Sequence, residues 1–121
     1  MTREDLHDRF ELIRRHGERR SPYGMFGIEC GLGWCKLLWN MLQELEEVVD
    51  ENFYFTQIKE KYGSLRVYYI GGSDEVDRII AKYEDLSYKT CERCGSPGEA
   101  NDDGWVRTLC KDCRKVLKEE E

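Results

Sequence analysis

Four cysteines fall in two CxxC pairs, Cys91-Glu92-Arg93-Cys94 and Cys110-Lys111-Asp112-Cys113, with fifteen residues between the pairs. A CxxC lets two thiolates reach one metal from a tight turn, and two pairs close a tetrahedral coordination sphere with no position left for water or substrate. The expected cofactor is one structural zinc ion, whose role is architecture before chemistry. Cys30 and Cys35 lack that partnership. Cys30 could be a nucleophile, its thiol lowered by a following helix N-terminus, with His7 or His16 as base. The pair could also be small buried side chains, or a second metal site. Burial is favoured, because free cysteine is among the most buried residue types and neither histidine stands in a local catalytic motif. Glu29, beside Cys30, reads better as an anchor for a glycine-rich loop than as a general base, since it has no partner carboxylate.

The segment 53–70 is the one place where cations and aromatic rings interleave: Lys59, Lys61 and Arg66 stand against Glu60 among Phe53, Tyr54, Phe55, Tyr62, Tyr68 and Tyr69. Such a surface could take single-stranded nucleic acid, a nucleotide or a protein groove. The competing reading is that the rings pack on helices and the cations reach past them to water. The candidate ligand or partner residues are therefore Glu29, Cys30, Trp34, Lys59, Lys61, Arg66 and Tyr68.

These residues need elements to position them. Residues 2–16 suit a short amphipathic helix, with Thr2 and Asp5 spaced for a capping box and Leu6, Phe10 and Ile13 on one stripe; it stops by Gly17. The run from Arg14 to Arg20 is basic, as a solvated helix end would be. Residues 21–33 carry one proline and four glycines and read as an irregular connector. Trp34, Leu37, Leu38, Met41, Leu42, Leu45, Val48 and Val49 then recur at three- and four-residue steps on a core helix of about four turns. The glutamates near its end oppose the helix dipole and are expected in solvent. Residues 53–60 and 64–70 predict a β-hairpin around Lys61-Tyr62-Gly63-Ser64, with Leu65, Val67 and Tyr69 facing the core. Val76, Ile79, Ile80, Tyr83 and Leu86 predict a second amphipathic helix, capped by Ser73 or Asp74. After the first cysteine pair, Trp105 to Leu109 reads as a short strand, and Lys111 to Glu120 as a helix whose first turn holds the second pair.

The expected fold is α+β: helices packed on a β-hairpin over residues 1–89, with a four-cysteine zinc annex over residues 90–121. The annex is treble-clef-like if its last ligands sit on a helix, or a zinc ribbon if both pairs sit on hairpin turns. The 121 residues carry 19 basic and 25 acidic side chains, a net charge of −6. That balance disfavours general attraction to nucleic acid or to an anionic membrane, so any nucleic-acid contact needs a local basic patch. The annex is acidic too, six cations against eight acids. No stretch approaches the roughly 18 apolar residues of a membrane span, and the N-terminus lacks the apolar region of a signal peptide, so a cytoplasmic protein is expected.

Several blocks together resemble a family of small, uncharacterised proteins of bacteria, prophages and phages. They are Phe26-Gly27-Ile28-Glu29-Cys30-Gly31-Leu32-Gly33-Trp34, then Gln57 to Tyr68 (QIKEKYGSLRVY), then Gly71-Gly72. They end with Thr90 to Gly95 (TCERCG) and Gly104 to Cys110 (GWVRTLC). The blocks follow in order over about three quarters of the chain. Leu32 stands where the family shows an acidic residue. The resemblance implies the fold above and a phage or prophage setting, with host cytoplasm as the location, but no reaction. Combined with the closed metal site and the lack of a complete catalytic constellation, it points to a non-enzymatic protein that binds a host or defence component. The alternatives are a nucleic-acid-binding module using the hairpin, and a small thiol or carboxylate enzyme centred on Cys30 and Glu29.

Overall fold

A computed structural model describes residues 1–15, 27–101 and 104–120. The expected stop at Gly17, the part of the Arg14–Arg20 basic run from His16 on, and the connector from Ser21 to Phe26 lie outside the described residues. The fold is α+β, with four helices among the described residues, a three-stranded sheet and a two-stranded annex sheet.

Helix α1 spans Arg3–Arg9 and begins with the expected capping box between Thr2 and Asp5. It is shorter than its apolar stripe suggests. Phe10 leaves the helix in extended backbone, and a 3-10 turn, Glu11–Arg14, follows. This break lets Phe10, Leu12 and Ile13 all turn inward, where an unbroken helix would put Leu12 on another face. Helix α2, Cys35–Glu46, buries Cys35, Leu38, Met41, Leu42 and Leu45. It ends at Glu46, short of Val48 and Val49, which the sequence period places on it; its last turns carry carboxylates, which oppose the helix dipole. Those carboxylates are not simply solvated. Glu44 lies 2.7 Å from Lys82 and also accepts from the Tyr83 hydroxyl, while Glu46 lies 2.8 Å from Arg9.

Strands β2 (Tyr54–Lys61) and β3 (Ser64–Ile70) form the expected antiparallel hairpin, with a bulge between Phe55 and Gln57. A third strand, β1 (Ile28–Glu29), runs parallel to β2 with Ile28 opposite Ile58 and Glu29 opposite Lys59. The connector reading of residues 21–33 is corrected here: two residues of it join the sheet. Ile28, Ile58 and Val67 form the inner row against the core, and Glu29, Lys59 and Arg66 form an outer row.

Helix α3 (Asp74–Ser87) is capped by Ser73 and packs Val76, Ile80 and Tyr83 inward. Its last inward residue is Ser87, fully buried, whereas Leu86 is exposed. Ser87 holds that place because its Oγ accepts the Leu65 N–H at 2.8 Å. Glu84 does the same for the Val67 N–H at 2.9 Å, and burial raises its carboxyl above the usual range. Two outward N–H groups on the free side of β3 are thus satisfied by α3, which closes that edge to further strands.

Candidate metal centre and ligand groove

In the annex, strands β4 (Glu99–Ala100) and β5 (Thr108–Leu109) form a short hairpin between the cysteine pairs, and helix α4 spans Lys111–Glu120. The expected strand from Trp105 shrinks to its last two residues. Cys91 and Cys94 lie on a knuckle closed by Gly95, whose N–H donates to the Cys91 carbonyl at φ +87°. Cys110 precedes α4 and Cys113 sits in its first turn. Knuckle, hairpin and ligand-bearing helix make this the treble-clef arrangement, not the ribbon.

The four sulfur atoms lie within 4.8 Å of one another, a cluster compatible with a bound metal ion. A tetrahedral site with Zn–S bonds of about 2.3 Å separates its sulfurs by about 3.8 Å. The Cys94 and Cys110 sulfurs are 3.7 Å apart, far beyond disulfide length. Burial acts to raise the Cys91 thiol, but N–H groups of Cys110, Cys94 and Arg93 outweigh it and hold the thiol below its ordinary value. Hydrogen bonds from the Ser96 hydroxyl and N–H bring Cys94 down to about 6, while burial and the neighbouring thiols push Cys113 up to about 12. Such N–H···S contacts orient and stabilise thiolate ligands. The donor set therefore fits a thiophilic ion in a closed site.

The annex meets the core along two seams. At the first, the Gly33 N–H donates to the Glu92 carbonyl at 2.7 Å and the Gly31 N–H to Glu92 Oε2 at 2.8 Å. Trp34 Nε1 donates to the Thr90 carbonyl at 2.9 Å. The backbones touch so closely that a Cβ on Gly33 would stand 2.3 Å from the Cys91 carbonyl oxygen, and one on Gly31 2.5 Å from that of Glu92. At the second seam the hairpin turn, Tyr62-Gly63, meets Val106 to Thr108, and Thr108 Oγ1 donates to the Gly63 carbonyl at 2.5 Å.

The structure separates the candidate residues into two groups. Cys30 and Trp34 belong to the core, 6% and 0% exposed. Burial, then the nearby Glu92 and Cys35, push the Cys30 thiol up to about 12, which leaves it almost no thiolate at neutral pH. Glu29 is exposed on the opposite face of the sheet, so the two do not form a thiol–carboxylate pair, and the loop anchor expected of Glu29 is Glu92 instead. Glu29, Lys59, Arg66 and Tyr68 do share the outer sheet face, Tyr68 opposite Gln57. Lys59 Nζ lies 6.0 Å from the centre of the Tyr68 ring. Lys61 stands at the end of that face, 5.6 Å from the Tyr62 ring.

Beside the second seam lies a pocket of about 530 Å³, within the range of ligand sites, lined by Lys59, Lys61, Tyr62, Gly104, Trp105 and Val106. Glu60 also lines it, with Oε2 accepting the Gly63 N–H at 2.8 Å. Tyr62 and Trp105 are 69% and 80% exposed. Trp105 is not among the residues singled out from sequence, and Tyr62 is named there only within the aromatic run, not among the candidate ligand residues. Tyr62 reads as part of a turn and Trp105 as part of a strand; an aromatic residue at a turn position, where Asn or Asp is favoured, is the signal that could have found the first. Compared with protein-family models, curated proteins and solved structures, the chain matches none of them.

Proposed function

We propose that the protein is a non-enzymatic binding module, stapled by one zinc ion on Cys91, Cys94, Cys110 and Cys113, that acts by occupying a ligand at the groove between its hairpin turn and its annex. The observation that carries this reading is the pairing of two strongly exposed rings, Tyr62 and Trp105, across one pocket beside Lys59 and Lys61. Aromatic rings of this size usually find cover in a folded chain or at an interface, and a ligand would supply it here. The metal's part is indirect: it fixes the annex, and the annex presents Trp105 opposite the hairpin. A closed four-thiolate site offers no open coordination position for chemistry. The family resemblance adds a phage or prophage setting, in which the ligand belongs to a host or defence system.

Two measurements test this. Metal analysis of the purified protein is expected to give one zinc per chain, and a substoichiometric or different metal overturns the staple. Capture from bacterial lysate is then compared between the native chain and Trp105→Ala, with zinc content as the folding control. Ligand recovered by the native chain and lost with Trp105→Ala supports the groove. Equal recovery by both, or none by either, removes it.

A further inference from the structure

We propose that the groove takes single-stranded nucleic acid, with bases stacked on Tyr62 and Trp105 and phosphates on Lys59 and Lys61 and, on the adjoining sheet face, on Arg66 opposite Lys59. The inference rests on the groove being the ligand surface and names the ligand. Charge is the first argument. Elsewhere on the surface Arg9, Arg15 and Lys82 are paired with a carboxylate at 2.7 to 2.8 Å, while helix cations such as Lys36 and Lys115 form no ion pair among the described residues but have no exposed ring pair beside them. Among the described residues, Lys59, Lys61 and Arg66 form no ion pair, although Glu29 stands across the strand from Lys59. Both lysines stay over tyrosine rings, and Glu60 is turned to the hairpin N–H of Gly63. At physiological salt the Debye length is about 8 Å, so carboxylates on the far helices contribute little here, while Glu29, Glu60 and the Asp102-Asp103 pair that precedes Gly104 in sequence offset part of the cationic charge and leave point contacts in place of a basic field.

The second argument is the turn itself. Tyr62 (φ 53°) and Gly63 (φ 83°) are both left-handed, as a two-residue turn of this kind requires, and the first of these positions favours Asn, Asp or Gly. A tyrosine there is held in an unfavourable backbone conformation with its ring in water, which points to a use for the ring outside the fold. Stacked bases need exposed rings at intervals and a few cations for the backbone, and that is the inventory of the groove. A duplex would need a broad basic surface, which a chain of net charge −6 does not offer. A protein segment adding to the sheet at β3 finds its outward N–H groups already taken by Ser87 and Glu84.

The test uses the zinc-loaded full chain and fluorescein-labelled DNA and RNA strands of about 12 nucleotides, a length within the range of single-strand site sizes. Binding is read by anisotropy. With three phosphates engaged and a slope of about −0.7 per phosphate in log K against log salt, affinity is expected to fall about twentyfold between 50 and 200 mM salt. Lys61→Ala is expected to flatten that slope by about 0.7. Trp105→Ala should weaken binding at least about fivefold with zinc content unchanged. Tyr62→Asn should weaken it similarly while the thermal midpoint holds or rises, a combination that a merely structural tyrosine would not give. No binding at low salt, duplex bound as well as single strand, or binding unmoved by either aromatic substitution overturns the inference. If lysate capture depends on Trp105, survives nuclease digestion and yields a protein while no oligonucleotide binds, the groove stands as a ligand site and the nucleic-acid assignment falls. If capture is also independent of Trp105, both fall.

Discussion

The two seams that join annex to core are built from similar parts and finish differently. Each sets a glycine of the core against the annex, Gly33 on the backbone of Cys91 and Glu92, Gly63 beside the side chains of Val106 and Thr108. The first is closed: three core N–H donors meet three annex oxygens, and Glu92, 7% exposed, is walled in with them. The second leaves its neighbours, Tyr62 and Trp105, in water around a pocket. The same type of contact thus serves attachment in one place and presentation in the other. It follows that glycines and aromatics clustered in a motif do not by themselves mark the ligand site.

The comparison breaks most severely if the metal is removed. Structural zinc sites contribute about 10–16 kcal/mol of apparent binding free energy in zinc-finger peptides, so Cys91→Ser or chelation is expected to unfold the annex. Limited proteolysis should then cut first within residues 90–121, and the four annex thiols should become open to alkylation while Cys35, inside helix α2, stays protected. An annex that remains resistant without metal would show that the seams alone hold it. Next in size is Gly33→Ala. Its Cβ would meet backbone at 2.3 to 2.5 Å, which no side-chain motion relieves, and a loss of about 3 kcal/mol is expected in denaturant unfolding. Gly63→Ala should lose less, about 1–2 kcal/mol, because its penalty is mainly the left-handed backbone and its nearest neighbour is the Val106 side chain at 3.0 Å. Equal losses at the two glycines would erase the distinction between seams. The smallest effect on stability is expected for Trp105→Ala, within about 0.5 kcal/mol, since an exposed ring adds little to the fold. A large loss there would mean that Trp105 is part of the attachment.

Local features were legible from sequence and long-range ones were not. The cysteine cluster could be found because CxxC spacing is a property of four consecutive residues, and the four sulfurs do converge. Alternation and the turn likewise identified the β2–β3 hairpin, and a three- to four-residue period identified the two longer helices. The two-residue strand β1 carries too few positions to show a period, and its partner Ile58 lies thirty residues on. Gly31 and Gly33 were read as loop freedom, yet neither has a left-handed backbone; they are small because residues about sixty positions later press on them. Glu92 looks like filler inside a CxxC and instead holds the loop. Exposure was hardest of all, because an aromatic residue looks the same in sequence whether it is core, as Trp34, or surface, as Trp105.

The first seam also sets the order in which the molecule can be completed during synthesis. Trp34 and the glycines before it leave the ribosome well ahead of Thr90, Cys91 and Glu92, whose carbonyls and carboxylate are their partners. Until that later segment has emerged, a fully buried tryptophan of the mature core lacks its hydrogen-bond acceptor and the loop lacks its wall. If the annex takes a metal as proposed, its capture also closes the loop before Trp34, so a cell starved of the metal would accumulate chains with a folded core, an open loop and an unfolded annex.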